Sequence, residues 1–207
     1  MIWRSILCLL FSVTSSVTCS ALEIRPVQTN SGIVLRMRGD IREGDYLRLK
    51  AQFKGKKPIV GVDLSSDGGH LEEGLRIAAL VRSQKLRVYV ANECASVCAD
   101  IFFAAARRYF AAGSKIGVHA ISNDKDIEDV GSKLLTLKLA RFWSKNGIPN
   151  SIIGKMVTTR PQAITYLNDT DLSDLHASAR DPFERELIQA PAVDLDQKQQ
   201  ASPPVSP

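Results

Sequence analysis

Apolar and polar positions first alternate regularly at residues 33–41 (IVLRMRGDI), where Ile33, Leu35, Met37 and Ile41 predict a half-buried strand. Gly44-Asp45 marks a turn, and residues 46–53 read as a helix with Leu47, Leu49 and Phe53 unevenly spaced. The continuous apolar run at residues 58–64 (PIVGVDL) predicts a buried strand of the parallel type, closed by the glycine turn SSDGG. Helical spacing through Leu71, Leu75, Ala78, Ala79 and Arg82 covers residues 70–84, and a second apolar run at 86–91 predicts the next strand. The turn ECAS then opens a very apolar helix over about 96–106 (SVCADIFFAAA). Residues 109–110 and 116–118 predict two short strands on either side of AAGS. The longest helix is expected at 126–146, amphipathic through Ile127, Val130, Leu134, Leu135, Leu137, Leu139 and Phe142, with Asn146-Gly147 as its stop signal. Shorter helices follow at 149–158 and 171–178. Strands and helices that alternate with crossovers of this length give an α/β domain with parallel pairing. In such sheets ligands bind at the carboxyl ends of the strands, where SSDGG and ECAS stand.

The two ends of the 207-residue chain break this pattern. Residues 1–21 read as a secretory signal peptide, with Arg4 as the positive start, ILCLLFSV (6–13) as the apolar stretch, and SSVTCSA leading to cleavage after Ser20 or Ala21. Periplasmic or secreted location follows. Cys19 raises lipid anchoring as an alternative, disfavoured by Thr18 where a smaller residue is usual. From residue 190 to 207 the composition turns to Pro, Gln, Ser and Ala without apolar periodicity, which reads as a disordered tail and leaves 22–189 as the folded domain.

Charge adds little. Lys and Arg total 27 against 22 Asp and Glu, a net charge of +5. The positive residues are interleaved with acids and few aromatics accompany them, so no nucleic-acid partner is expected. No apolar run reaches the roughly 18–20 residues of a buried membrane span. Of four cysteines, Cys8 and Cys19 fall in the leader, leaving Cys94 and Cys98 four apart. In an oxidising compartment they are candidates for a disulfide, and the other reading is a pair of buried thiols. Two cysteines are too few for a metal site, and none is expected.

Three features could carry chemistry. Ser96 lies where a strand passes into a helix N-terminus, whose N–H groups favour negative charge near its oxygen. Asp67-Gly68-Gly69 lets backbone come close to a ligand and turn an N–H toward a developing oxyanion. His119 follows an apolar strand and could be the base a weakly nucleophilic serine needs. Each has a plainer reading: a helix cap, a turn and a structural histidine.

Taken in order, LSSDGGHLEEGLRIAALVR and ECASVCADIFFAAARRYFAAGSKIGVHA, with His119 lying 23 residues after Ser96, resemble the ClpP/crotonase superfamily. Within it the chain looks most like small exported ClpP-like proteins with a C-A-S-x-C motif, and the resemblance runs from Ile33 to Leu175. It implies repeated ββα units forming a parallel sheet flanked by helices. It makes Ser96 the nucleophile, His119 the base, and the N–H groups of Gly69 and Val97, with Gly68 beside them, the oxyanion hole. A peptide or protein substrate, acyl-enzyme chemistry without a cofactor, and self-assembly through the helix near 126–146 are further implications. An ATP-driven unfoldase does not carry over to an ATP-poor periplasm. The departure lies in the third triad member: before TYLN, where the family has an aspartate, stands Ile164, between Ala163 and Thr165. Asp169 and Asp171 are the acids a few residues on that could orient His119 instead. A serine–histidine dyad and a site kept only for binding both stay open. A crotonase-type thioester enzyme is a weaker third reading, because its coenzyme is intracellular.

Overall fold

A computed structural model describes residues 21–123, 125 and 127–184, so most of the expected leader and all of the expected tail lie outside the described residues. The chain begins with an antiparallel pair, β1 (Glu23–Thr29) and β2 (Gly32–Arg38). β1 escapes a pattern reading because Pro26 and its charged neighbours suit an edge strand, where a missing N–H costs no ladder bond. β2 stops at Arg38, short of the expected 41. α1 (Asp45–Gln52) follows, then β3 (Ile59–Ser66) and α2 (Leu71–Ser83). β4 (Arg87–Ala95) runs directly into α3 (Val97–Phe103). The short strands β5 (Arg107–Phe110) and β6 (Lys115–Val118) come next, then α4 (Val130–Lys145) and α5 (Asn150–Thr158). β7 (Thr165–Tyr166), α6 (Asp169–Asp174) and β8 (Ser178–Ala179) complete the described chain.

β2, β3, β4 and β5 are parallel neighbours in the order β1-β2-β3-β4-β5-β8. β4 is the branch point. Its first half, Arg87–Val90, pairs with β5, and its last residues, Glu93–Ala95, pair with β6. The sheet therefore forks just before Ser96. Leu35, Met37, Val62, Leu64, Val88 and Val90 are sealed within it, each worth roughly 1.5–3 kcal/mol of burial. Every residue of α3 is buried, which makes this short helix the centre of the packing.

α4 turns an unexpected face inward. It starts at Val130 rather than 126 because Asp129 and Ser132 cap each other reciprocally. The buried positions are Ser132, Thr136, Ala140 and Trp143, whereas Val130, Leu134, Leu135, Leu137 and Phe142 are exposed. Small residues let α4 lie close to the body and let Thr136 Oγ1 accept from the Ile121 N–H at 2.9 Å. Arg108, one of an adjacent arginine pair, serves the fold: its guanidinium donates to the carbonyls of Phe103 (2.5 Å) and Leu175 (3.1 Å).

α2 and α3 pack through Gly74, where an added Cβ would stand 2.2 Å from Val97 Cγ2. Helical Gly→Ala ordinarily gains up to ~1 kcal/mol. Here the buried valine has no room to yield, so Gly74→Ala is expected to lower stability by about 1–3 kcal/mol in urea unfolding.

Candidate functional site

The corner between β4 and α3 sets the site. Ser96 has φ 56 and ψ −133, a conformation that non-glycine residues rarely hold, and its side chain makes no capping hydrogen bond. The plain reading of Ser96 as an N-cap therefore fails. Its backbone is held from both sides, by its N–H donating to Gly117 O at 3.0 Å and its carbonyl accepting from Ala99 N–H at 2.9 Å. Cys94 and Cys98 are joined in a disulfide with Cα atoms 5.2 Å apart, so a covalent clip spans the corner with Ser96 inside it.

Opposite stands the turn after β3. Gly68 has φ 111, and a Cβ there would meet Ser96 Cβ at 2.6 Å and Oγ at 3.2 Å. Gly69 has φ 127, and a Cβ there would meet Ile41 O at 2.2 Å. The neighbouring groups are engaged: Ile41 N–H donates to Gly68 O, and His70 N–H to Ile41 O, both at 2.8 Å. Among the described residues the Gly69 N–H has no acceptor, and Gly69 is exposed. The Val97 N–H opens α3 and has no intrahelical acceptor. Two unused donors thus flank Ser96.

His119 and Ser96 line the same cleft, of about 620 Å³, with Gly69 and Val97. The histidine segment is pinned by Ala120 N–H to Thr159 O (2.9 Å) and by the Ile121–Thr136 bond. His119 Nδ1 lies 2.7 Å from Ala120 O. A carbonyl only accepts, so Nδ1 carries the proton and Nε2 keeps a lone pair. No hydrogen bond joins His119 to Ser96 Oγ among the described residues. Substrate-free catalytic pairs are often that loose.

Neither candidate acid reaches His119. Asp171 is buried, accepts from Asn168 N–H at 2.9 Å and pairs with Lys155, tying α6 to α5. Asp169 is exposed at the start of α6. β7 pairs antiparallel with β6, Val118 against Thr165, and the same register continued one step sets Ile164 opposite His119. The position that could hold an orienting carboxylate therefore carries an apolar side chain, and the Ala120 carbonyl supplies the acceptor.

The cleft also holds Asp100, the one acid in an otherwise apolar helix, which sequence reasoning passed over although its isolation was visible. Trp143 Nε1–H donates to its Oδ1 at 2.5 Å. Burial pushes its pKa up to about 7, against a smaller lowering by the Trp143 bond. Among the described residues no group of three or more His, Cys, Asp or Glu is placed to hold a metal ion, and no helix is long and apolar enough to cross a membrane.

Comparison with solved structures shows a fold shared with ClpP-type proteins and with an enoyl-CoA hydratase/isomerase. ClpP1 from Listeria monocytogenes is similar with a TM-score of 0.56 at 17% identity, over 72% of this chain and 91% of that one. A mutant of the 1510-N membrane-bound stomatin-specific protease gives 0.51 at 16% identity, over 72% and 79%. An enoyl-CoA hydratase/isomerase from Novosphingobium aromaticivorans gives 0.51 at 10% identity, over 75% and 65%. No protein-family model and no curated protein sequence matches the chain.

Two outcomes are expected. Gly68→Ala should displace Ser96 and cost about 1–3 kcal/mol in chemical denaturation, from the positive φ as well as the clash. Asp100 binds its proton more tightly folded than unfolded, so stability should fall as pH rises from its ordinary value of 3.8 to about 7. Thermal melts across that range should show a smaller fall in Asp100→Asn.

Proposed function

We propose that this chain is an exported serine hydrolase that cuts peptides through an acyl-enzyme on Ser96. The observation that carries the reading is Ser96 itself, whose uncapped hydroxyl stands on a strained corner between two unused N–H donors. In the proposed reaction Ser96 Oγ attacks the scissile carbonyl while its proton passes to His119 Nε2. The Gly69 and Val97 N–H groups hold the oxyanion. The imidazolium then protonates the departing amine, and water, deprotonated by the same nitrogen, releases the acid and restores Ser96. Peptidase activity is supported by the stomatin-specific protease among the fold neighbours. Residues 1–21 would direct export, and a disulfide at the site suits an oxidising compartment.

A backbone carbonyl orients His119 but adds no negative charge to steady the imidazolium. Losing the carboxylate from a triad costs up to ~10⁴ in rate, so the enzyme is expected to be slow. The second reading, a non-catalytic binding or assembly protein on the same fold, draws on the missing Ser96–His119 bond and the missing acid.

The deciding measurement is labelling of purified protein by a fluorophosphonate, read by intact mass. Wild type should be labelled, and Ser96→Ala and His119→Ala should not. Ile164→Asp, at a position 41% exposed and so tolerant of charge, should speed labelling by ~10-fold or more, a part of the ~10⁴ a full triad commands. Folded wild type that resists the probe would leave the binding reading.

The exposed apolar face of α4 supports self-association as the second half of the proposal. Leu134→Glu with Leu137→Glu should convert an oligomer to monomers in light scattering without unfolding it. Wild type that is already monomeric would refute that half.

A further inference from the structure

Asp100 is not used by the hydrolytic steps above, yet it stands in their cleft. It lies four residues past Ser96, at the fourth position of α3, and both residues line the cleft. Its residue exposure is 5%. One carboxyl oxygen is taken by the Trp143 indole. The other, Oδ2, has no hydrogen-bond partner among the described residues. It is not sealed away either, since the buried side-chain atoms lacking partners among the described residues are Arg108 Nε and Ser114 Oγ. Oδ2 is therefore not fully enclosed, and Asp100 is among the residues that line the cleft. No cation pairs with it, and burial is the main influence on its ionisation. A buried carboxyl left half-satisfied costs stability that an apolar residue in the same place would not.

The remaining wall has a different character. Phe103, Val118, Leu135, Leu139 and Met156 line the cleft around Asp100. A ligand that satisfies both the wall and the unpaired oxygen has an aliphatic stem and a hydrogen-bond-donating cationic tip. We propose that Asp100 is the specificity-determining residue of this cleft, receiving the cationic head of a lysine- or arginine-like side chain on the acyl part of the substrate while the apolar wall takes its stem. The proposal rests on the hydrolase reading for its link to turnover, but the binding it describes does not need Ser96.

The cation favours ionised Asp100, so binding releases a proton near neutrality and strengthens as pH rises through about 7. The other titratable groups lining the cleft are His70, Glu72, His119 and Asp129. Glu72 is paired with Arg76, and Asp129 is engaged by Ser132 and Asn123. His70 accepts the Glu73 N–H, and His119 faces Ala120 O. None of these four is hydrogen-bonded to Asp100.

The test uses the full chain carrying Ser96→Ala, which removes turnover, and Trp3→Phe, which leaves Trp143 as the single tryptophan of the two in the sequence. The probes are n-butylguanidine and its neutral analogue n-butylurea, followed by Trp143 emission and calorimetry. n-Butylguanidine should bind at least ~10-fold more tightly than n-butylurea, in keeping with a charge-assisted bond in a dry site. Its affinity should rise about tenfold from roughly pH 6 to roughly pH 8, as the ionised fraction does. Asp100→Asn, which keeps the acceptor for Trp143, should erase both differences. Equal binding of the two probes, no binding of n-butylguanidine, or a preference that survives Asp100→Asn would each overturn the proposal. Should Asp100→Asn fail to fold, the probe pair and the pH series on the parent still decide it. Fluorophosphonate labelling without a guanidinium preference would sink this inference alone, and a preference without labelling would sink the hydrolase reading alone.

Discussion

A strand that must end by turning its next residue into a buried helix leaves few backbone paths, and this chain takes one that puts Ser96 at φ 56, ψ −133. Such a conformation costs on the order of 1–3 kcal/mol and persists only where its surroundings over-determine it. The surroundings do so here. β4 arrives with both flanks paired, one to β3 and the other to β5 and then β6, and the Ser96 N–H extends the β6 ladder by one bond. Gly68 presses on the side chain from the neighbouring turn, Gly74 admits Val97 from α2, and the Cys94–Cys98 bridge closes the corner.

The cleft divides its polar groups between two environments. On the loop side, His119 is oriented by a neutral main-chain carbonyl. On the helix side, Asp100 of α3 is largely buried and accepts from the indole N–H of Trp143 on α4. Ile164 takes the position opposite His119, and Lys155 pairs with Asp171. The Asp100 carboxyl thus sits in the wall of the cleft rather than behind the base, unlike the acid of a serine–histidine–aspartate triad.

Much of the architecture was legible from periodicity, because β3, β4 and α2 bury faces that match their repeat and the turns between them carry glycine or caps. The glycine turn, Ser96 and His119 were equally visible, since each stands at a strand end. Other features were hidden for physical reasons. β1 takes its stability from pairing at a sheet edge rather than from an apolar face, so Pro26 and arginine are tolerated. The apolar face of α4 suggested a core, but Ser132, Thr136 and Ala140 face inward because close approach and a bond to Ile121 matter more there than bulk. The acceptor for His119 is a main-chain carbonyl, which no side-chain pattern announces. Asp169 and Asp171 were sensible candidates by proximity in sequence, but capping and the Lys155 pair commit the α6 turn elsewhere.

The two bridged cysteines are only four residues apart, whereas β4 meets β3 and β6 across separations of some twenty residues or more. Closing so short a ring asks little entropy of an unfolded chain, while parallel pairing must first bring distant segments together. Oxidation can therefore precede the sheet. The order of events would then run from corner to scaffold: a covalent hairpin around Ser96 forms early, and the strands that later support it assemble on a bend already drawn.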